Sequence, residues 1–200
     1  TGATPVYMAA QEGHVPALEV LIAHGADVNK ARTTDGATPV YVAAQEDHPG
    51  CVKRLLAQDG ILVNQADVEG NTPLFMACEH GCLRSLKLLL AAPRIDVNQA
   101  DKVGATPQTG TTPLWIACQN GCLGSVKLLL AHKDIRVNQA THDDATTGSN
   151  GDGGPLQSVT PLRIAAQDGH LGVVRVLVKH KGIDLDKPGN TDNRLEVGFQ

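Results

Sequence analysis

The chain has 200 residues, 42% of them hydrophobic, with a formal net charge of −4 and a sequence pI ≈ 6.0. That apolar content can bury a sizeable core, while the acid-leaning balance leaves no electrostatic footprint for nucleic acid or for an anionic membrane surface. No apolar run approaches the length of a membrane helix and no leader-like segment precedes the first regular stretch, so an intracellular, reducing, cytoplasmic setting is the expectation.

In chain order, the first predicted helix opens at Thr4-Pro5. A threonine hydroxyl accepts an orphan backbone N–H at a helix start, and proline fits the first helical position, where no donor is needed. The small pair Ala9-Ala10 lets a neighbouring helix approach closely, and Gly13 supplies the left-handed conformation that ends the helix. A second helix follows at once, with Pro16 tolerated in its first turn. The same opening recurs at Thr38-Pro39, Thr72-Pro73, Thr112-Pro113 and Thr160-Pro161, at intervals of 34, 34, 40 and 48 residues, so the later units carry insertions. Each copy repeats the small pair (Ala43-Ala44, Ala77-Cys78, Ala117-Cys118, Ala165-Ala166), and the turn glycine returns as Gly81, Gly121 and Gly169, with Asp47 in its place in the second unit. In the third unit Leu83, Leu86, Leu89 and Leu90 form the apolar stripe of the second helix, and Arg84 and Lys87 point away from it. Two such helices cannot enclose a core, so the units must stack.

The run Thr-Pro-Leu-x-x-Ala-Ala-x-x-Gly-His, a Val/Leu-rich helix and then Gly25-Ala26-Asp27-Val28-Asn29 resembles the ankyrin repeat. The segments Leu62-Val63-Asn64-Gln65, Asp96-Val97-Asn98-Gln99, Arg136-Val137-Asn138-Gln139 and Asp184-Leu185-Asp186-Lys187 fill the same slot in later units. The resemblance implies an all-α solenoid of stacked antiparallel helix pairs with β-turn or hairpin fingers, in one domain over residues 1–194 with repeats starting near 4, 38, 72, 112 and 160. It also implies a non-enzymatic protein-protein interaction module that binds through its concave face and fingers. A recruiting segment of a larger enzyme or effector, and an engineered or structural scaffold without a natural ligand, stay open beside it. The chain starts without methionine or a polar capping helix, which reads as a fragment, and residues 195–200 resemble a viral 3C-type protease recognition stretch, which reads as a tag remnant.

The resemblance places partner contacts on the fingers, at Thr34, Asp35, Ala37, Val68, Glu69 and Asn71, and after the small pairs, at Gln11, Glu12, Gln45, Glu46, Glu79, His80, Gln119, Asn120, Gln167 and Asp168. The set is polar and mildly acidic, which suits a hydrogen-bonding, basic protein partner and not nucleic acid, whose phosphates demand Lys or Arg. The basic residues Lys53, Arg54, Arg84, Lys87, Lys127, Arg175 and Lys179 sit on second helices and read as solvated charge. The expected state is a monomer, with association through uncapped terminal repeats open to it. By the same resemblance, Asn29, Asn64, Asn98 and Asn138 match the position that an intracellular asparaginyl hydroxylase modifies, and the plain alternative is a side chain that satisfies turn backbone.

One column is unusual. Where the family has histidine, this chain has Tyr7, Tyr41, Phe75, Trp115 and Arg163, either packed between repeats or serving as interface anchors. Asp101-Lys102-Val103-Gly104-Ala105-Thr106-Pro107 starts like a repeat but gives way to an insertion before Thr112, and a second insertion precedes Thr160. Both are expected to be enlarged fingers on the same edge, side by side, with residues 106–111 as a short hairpin and residues 147–154 mobile. Ser158 replaces the family's finger glycine there.

No cofactor or metal is expected. Cys78 and Cys118 stand where a thiol packs like a larger alanine, and Cys82 and Cys122 fall beyond the helix-ending glycine, out of metal-sharing range. Cys51 has no sequence partner, and none of the eight histidines pairs with a serine or cysteine in a nucleophile motif, so no catalytic residue is assigned.

Overall fold

A computed structural model describes residues 2–101, 108–143 and 158–186 of the chain. The described helices form five pairs: α1 (Pro5–Gln11) with α2 (Val15–Ala23), α3 (Pro39–Gln45) with α4 (Pro49–Leu56), α5 (Pro73–Glu79) with α6 (Leu83–Leu90), α7 (Pro113–Gln119) with α8 (Leu123–Leu130), and α9 (Pro161–Gln167) with α10 (Leu171–Leu177). The first helices pack on one another in sequence as an inner layer, and the second helices pack likewise as an outer one. Thr4, Thr38, Thr72, Thr112 and Thr160 each accept the backbone N–H three residues on, at 3.1–3.2 Å, with proline at the first helical position. The small pairs let the inner helices close up: Ala43, Ala44, Ala77, Cys78, Ala117 and Cys118 are all fully buried. From the outer layer, Leu55, Leu86, Leu89 and Leu129 complete one continuous apolar strip.

Asp47 shows why the second unit needs no glycine. Its φ of 48° is the left-handed conformation that stops α3, which a short polar side chain tolerates better than most. Its carboxylate then crosses the junction, accepting from the Ser85 backbone N–H at 3.2 Å and from the Ser85 hydroxyl at 2.9 Å. Arg84 adds an exposed contact at 3.4 Å. One junction further on, Gly81 occupies the position of Asp47, and the buried hydroxyl of Ser125, in the position of Ser85, has no hydrogen-bond partner.

Four asparagines tie each repeat to the next. The side-chain amide of Asn29 donates to the Gly60 carbonyl at 3.0 Å while its oxygen accepts from the Leu62 N–H at 3.0 Å. Asn64 does the same with Arg94 and Asp96, Asn98 with Asp134 and Arg136, and Asn138 with Gly182 and Asp184. Both ends of every amide are therefore used, in the same register, across four junctions.

Each finger is closed at its base by an equivalent backbone bond. Arg32 donates to Ala37, Asp67 to Asn71, Asp101 to Thr111 and Thr141 to Val159, at 2.8–3.1 Å. The first two loops are ordinary in length and the last two hold the insertions, and the described helix pairs stack on one another on either side of them. The described limbs of the two long fingers pair with each other, while the hairpin expected over residues 106–111 falls partly outside the described residues. Strand β1 (Gln108–Thr109) of the third finger pairs antiparallel with β2 (His142–Asp143) of the fourth, Gln108 opposite Asp143 and Thr109 opposite His142. The returning limb of one finger thus runs beside the outgoing limb of the next. Residues 102–107, the stretch 147–154 and the tag-like tail lie outside the described residues. At the fourth finger the missing glycine is replaced by a side-chain tie: the Ser158 hydroxyl donates to the Thr141 carbonyl at 3.0 Å.

Two substitutions test these ties. Asn64→Ala removes a donor and an acceptor across one junction and should cost about 1–2 kcal/mol, read by urea denaturation. Asp47→Gly keeps the left-handed turn but leaves Ser85 unpartnered, a loss of about 1–2 kcal/mol that adding Ser85→Ala should largely restore; independent, additive losses would show that the bridge carries no coupling.

Candidate functional site

The aromatic column meets the finger bases from inside. The Tyr41 hydroxyl donates to Asp67 Oδ2 at 2.8 Å, and the Trp115 indole N–H donates to the Val159 carbonyl at 3.0 Å. At the first finger Arg32 takes the position of Asp67, and its guanidinium lies 4.9 Å from the centroid of the Tyr7 ring, an attraction of cation for ring face. Arg32 is also paired in fork geometry with Asp35, which holds that carboxyl below the usual range. Tyr7, Tyr41, Phe75 and Trp115 are only 1%, 7%, 5% and 1% exposed, so they are packing residues and not free anchors. Burial, reinforced by the bond to Asp67, pushes the Tyr41 hydroxyl pKa far up.

Between the inner helices and the fingers runs a groove of about 460 Å³ at the third and fourth repeats. Met76 and Ile116, next to the aromatic column, form its floor with the edges of Tyr41, Phe75 and Trp115. Glu79 and Gln119 from the helix ends and Glu69, Asn71, Asp101 and Thr111 from the fingers supply its polar walls. Asp67 organises one wall: its Oδ1 accepts from the backbone N–H groups of Glu69 and Asn71 at 3.0 and 2.8 Å. Asn71 in turn donates to Glu69 at 3.3 Å. Asp101 repeats that arrangement, accepting from the Thr111 N–H at 2.7 Å, and burial outweighs this bond to push its carboxyl pKa up.

Of the residues predicted to meet a partner, Glu69, Asn71, Glu79 and Gln119 converge on this groove. Gln11, Glu12, Thr34, Asp35, Gln45, Glu46, Val68, His80, Asn120, Gln167 and Asp168 lie outside its lining, most of them exposed or half-buried. Ala37 is buried at 1% exposure and cannot touch a partner, because the finger base folds over it. Others of the set have structural bonds: Asp35 with Arg32 and the Ala37 N–H, Asn120 donating to the Glu79 carbonyl at 3.0 Å, and His80 Nδ1 3.1 Å from the Met76 carbonyl. Met76, Ile116, Asp101 and Thr111 were missed; the column after the aromatics was the available signal for the first two. The four asparagines of the hydroxylase-like position are those of the cross-repeat ladder.

The basic residues of the outer helices are exposed, yet two of them also bridge repeats: Arg54 pairs with Glu19, and Arg84 with Asp47. The five cysteines are free thiols. Burial drives the Cys78 thiol well above its ordinary value and Cys118 to about 12, so both are inert packing groups. Cys82 stands in the turn position that His170 holds in the last pair, and both reach back one repeat, Cys82 Sγ to the Gln45 carbonyl at 3.4 Å and His170 Nε2 to the Gln119 carbonyl at 2.7 Å. The close fit requires glycine opposite: a Cβ on Gly121 would meet the His170 ring at 2.6 Å. Among the described residues no group of three or more His, Cys, Asp or Glu side chains is placed to hold a metal ion.

Comparison with known families returns one match, to the family described as ankyrin repeats (3 copies), over residues 6–101, 61–141 and 100–189. No curated protein matches the chain.

The two finger carboxyls should titrate in opposite senses. Asp35, lowered by Arg32, contributes stability above the ordinary aspartate pKa that is lost as pH falls through its folded value. Asp101, raised by burial, does the reverse: the fold is favoured while the carboxyl is protonated, and that contribution is lost as pH rises through its folded value. A carboxyl-carbon NMR titration should find Asp101 above and Asp35 below the unperturbed range; the opposite order would contradict the placement of both.

Proposed function

The chain belongs to the ankyrin-repeat family, and from that premise we propose that it is a non-enzymatic binding module whose protein partner lies along the concave side. Ankyrin repeats are in general protein-protein interaction modules. The observation that carries the reading is the groove itself, where the floor is apolar and the walls hold Glu69, Asn71, Glu79 and Gln119. Extended concave surfaces of this kind are what repeat stacking creates. The outer layer is a poorer surface for the purpose, because its exposed positions carry scattered charge such as Lys53, Lys87 and Lys127 around a buried leucine strip. Apolar floor contacts would give affinity, and the wall carboxylates and amides would orient the partner.

In protein-fragment affinity selection, alanine changes at Glu79 and Gln119 should weaken the selected partner by about tenfold together, while Lys53→Ala and Lys87→Ala leave it within about twofold. Loss of binding with the lysine changes and not with the groove changes would move the site to the outer layer.

A further inference from the structure

We propose that the groove at the third and fourth repeats docks a Lys or Arg side chain of an extended peptide segment, with its methylenes on Met76 and Ile116 and its cationic head among Glu69, Glu79 and Asp101. The inference rests on the concave-face reading and names the chemistry of what that face takes.

Charge is the first argument. Among its described lining residues the groove has three carboxylates and no Lys, Arg or His. On the other layer Lys53, Lys87 and Lys127 are exposed beside the paired Arg54 and Arg84, so a basic segment is disfavoured there and drawn to the concave side. Shape is the second. A floor of thioether and hydrocarbon beneath a carboxylate wall matches a side chain that is apolar along its stem and charged at its tip, which neither an acidic nor a wholly apolar residue would satisfy.

The third argument compares two equivalent carboxylates. Asp67 receives a hydroxyl from Tyr41, but at the next repeat the column residue is Phe75, which has no hydroxyl to offer Asp101. Asp101 takes its hydrogen bonds from its own finger, from Thr111 and Gly110, with no hydroxyl reaching it from the inner-helix column, and burial still disfavours its charge. A bound ammonium or guanidinium supplies the opposite charge that those neutral donors do not, at a site where partial burial makes the pairing stronger than at an open surface.

The test is selection of a random twelve-residue phage-displayed peptide library on the full chain, followed by fluorescence anisotropy with the synthesised winners and backbone NMR mapping. Lys- or Arg-bearing peptides that perturb Met76, Glu79, Ile116 and Gln119 are expected. Their affinity should fall about tenfold in the triple variant Glu69→Gln, Glu79→Gln, Asp101→Asn and about tenfold when the peptide cation is replaced by glutamine. Unchanged NMR dispersion away from the groove would confirm that the triple variant is folded; if it is not, Glu79→Gln alone and the peptide replacement carry the comparison. Winners that map to the groove but are acidic or uncharged overturn this inference and leave the concave reading standing. Winners that map to Lys53 and Lys87 overturn both. A library that yields no basic binder also counts against the proposal.

Discussion

No helix pair in this chain can close a core alone. Its helices run seven to nine residues, below the length at which an isolated helix is stable in water, so each exists because its neighbours bury its faces. Stability in such an array is a sum over nearest-neighbour junctions, and the polar chemistry follows the same logic. Threonine caps and proline starts shape each inner helix, but the asparagine ladder, the Asp47 bridge and the His170 contact all run across a junction and not within a unit. A repeat removed from the stack would lose its apolar cover and its side-chain ties together.

The repeat was legible because its signals are local. Thr-Pro, the small pair and the helix-ending glycine each state one backbone requirement, and the five capping bonds meet it without exception. The aromatic column was visible as a pattern, but its role depends on partners that are far along the chain: Tyr41 and Asp67 are 26 residues apart, Trp115 and Val159 44. The asparagines could be found in sequence and their turn role guessed, whereas their reach into the next repeat depends on how closely the units stack. The groove was half legible. Glu79 and Gln119 follow from their place after the small pair, but Asp101 joins them only because a finger base folds back over the inner helices. The pairing of β1 with β2 could not be read at all, since two-residue strands carry no periodicity and the partner belongs to a different finger.

The junctions are not equivalent. Between the second and third repeats, Asp47 clips the outer layer to the inner through Ser85, while the next junction has Gly81 and an unpartnered Ser125 in those places. That second junction is the one beneath the groove. Its inner layer is nevertheless held by Cys78, Ala117 and Cys118, all without exposure, and by the Asn98 rung. The groove thus keeps a close-packed base where the outer face is less tightly clipped.

The finger-base bond also separates loop length from the geometry of the stack. Asp67 to Asn71 and Thr141 to Val159 are closed by the same N–H to carbonyl bond at 3.0 and 3.1 Å, although one loop is far longer than the other. Once the base is closed, lengthening the tip adds only a logarithmic entropy term, about 0.6 kcal/mol per doubling. The fourth finger is therefore a natural graft point: foreign sequence spliced between Thr141 and Ser158 would begin and end at a closed base, and the helical spine would not register its presence.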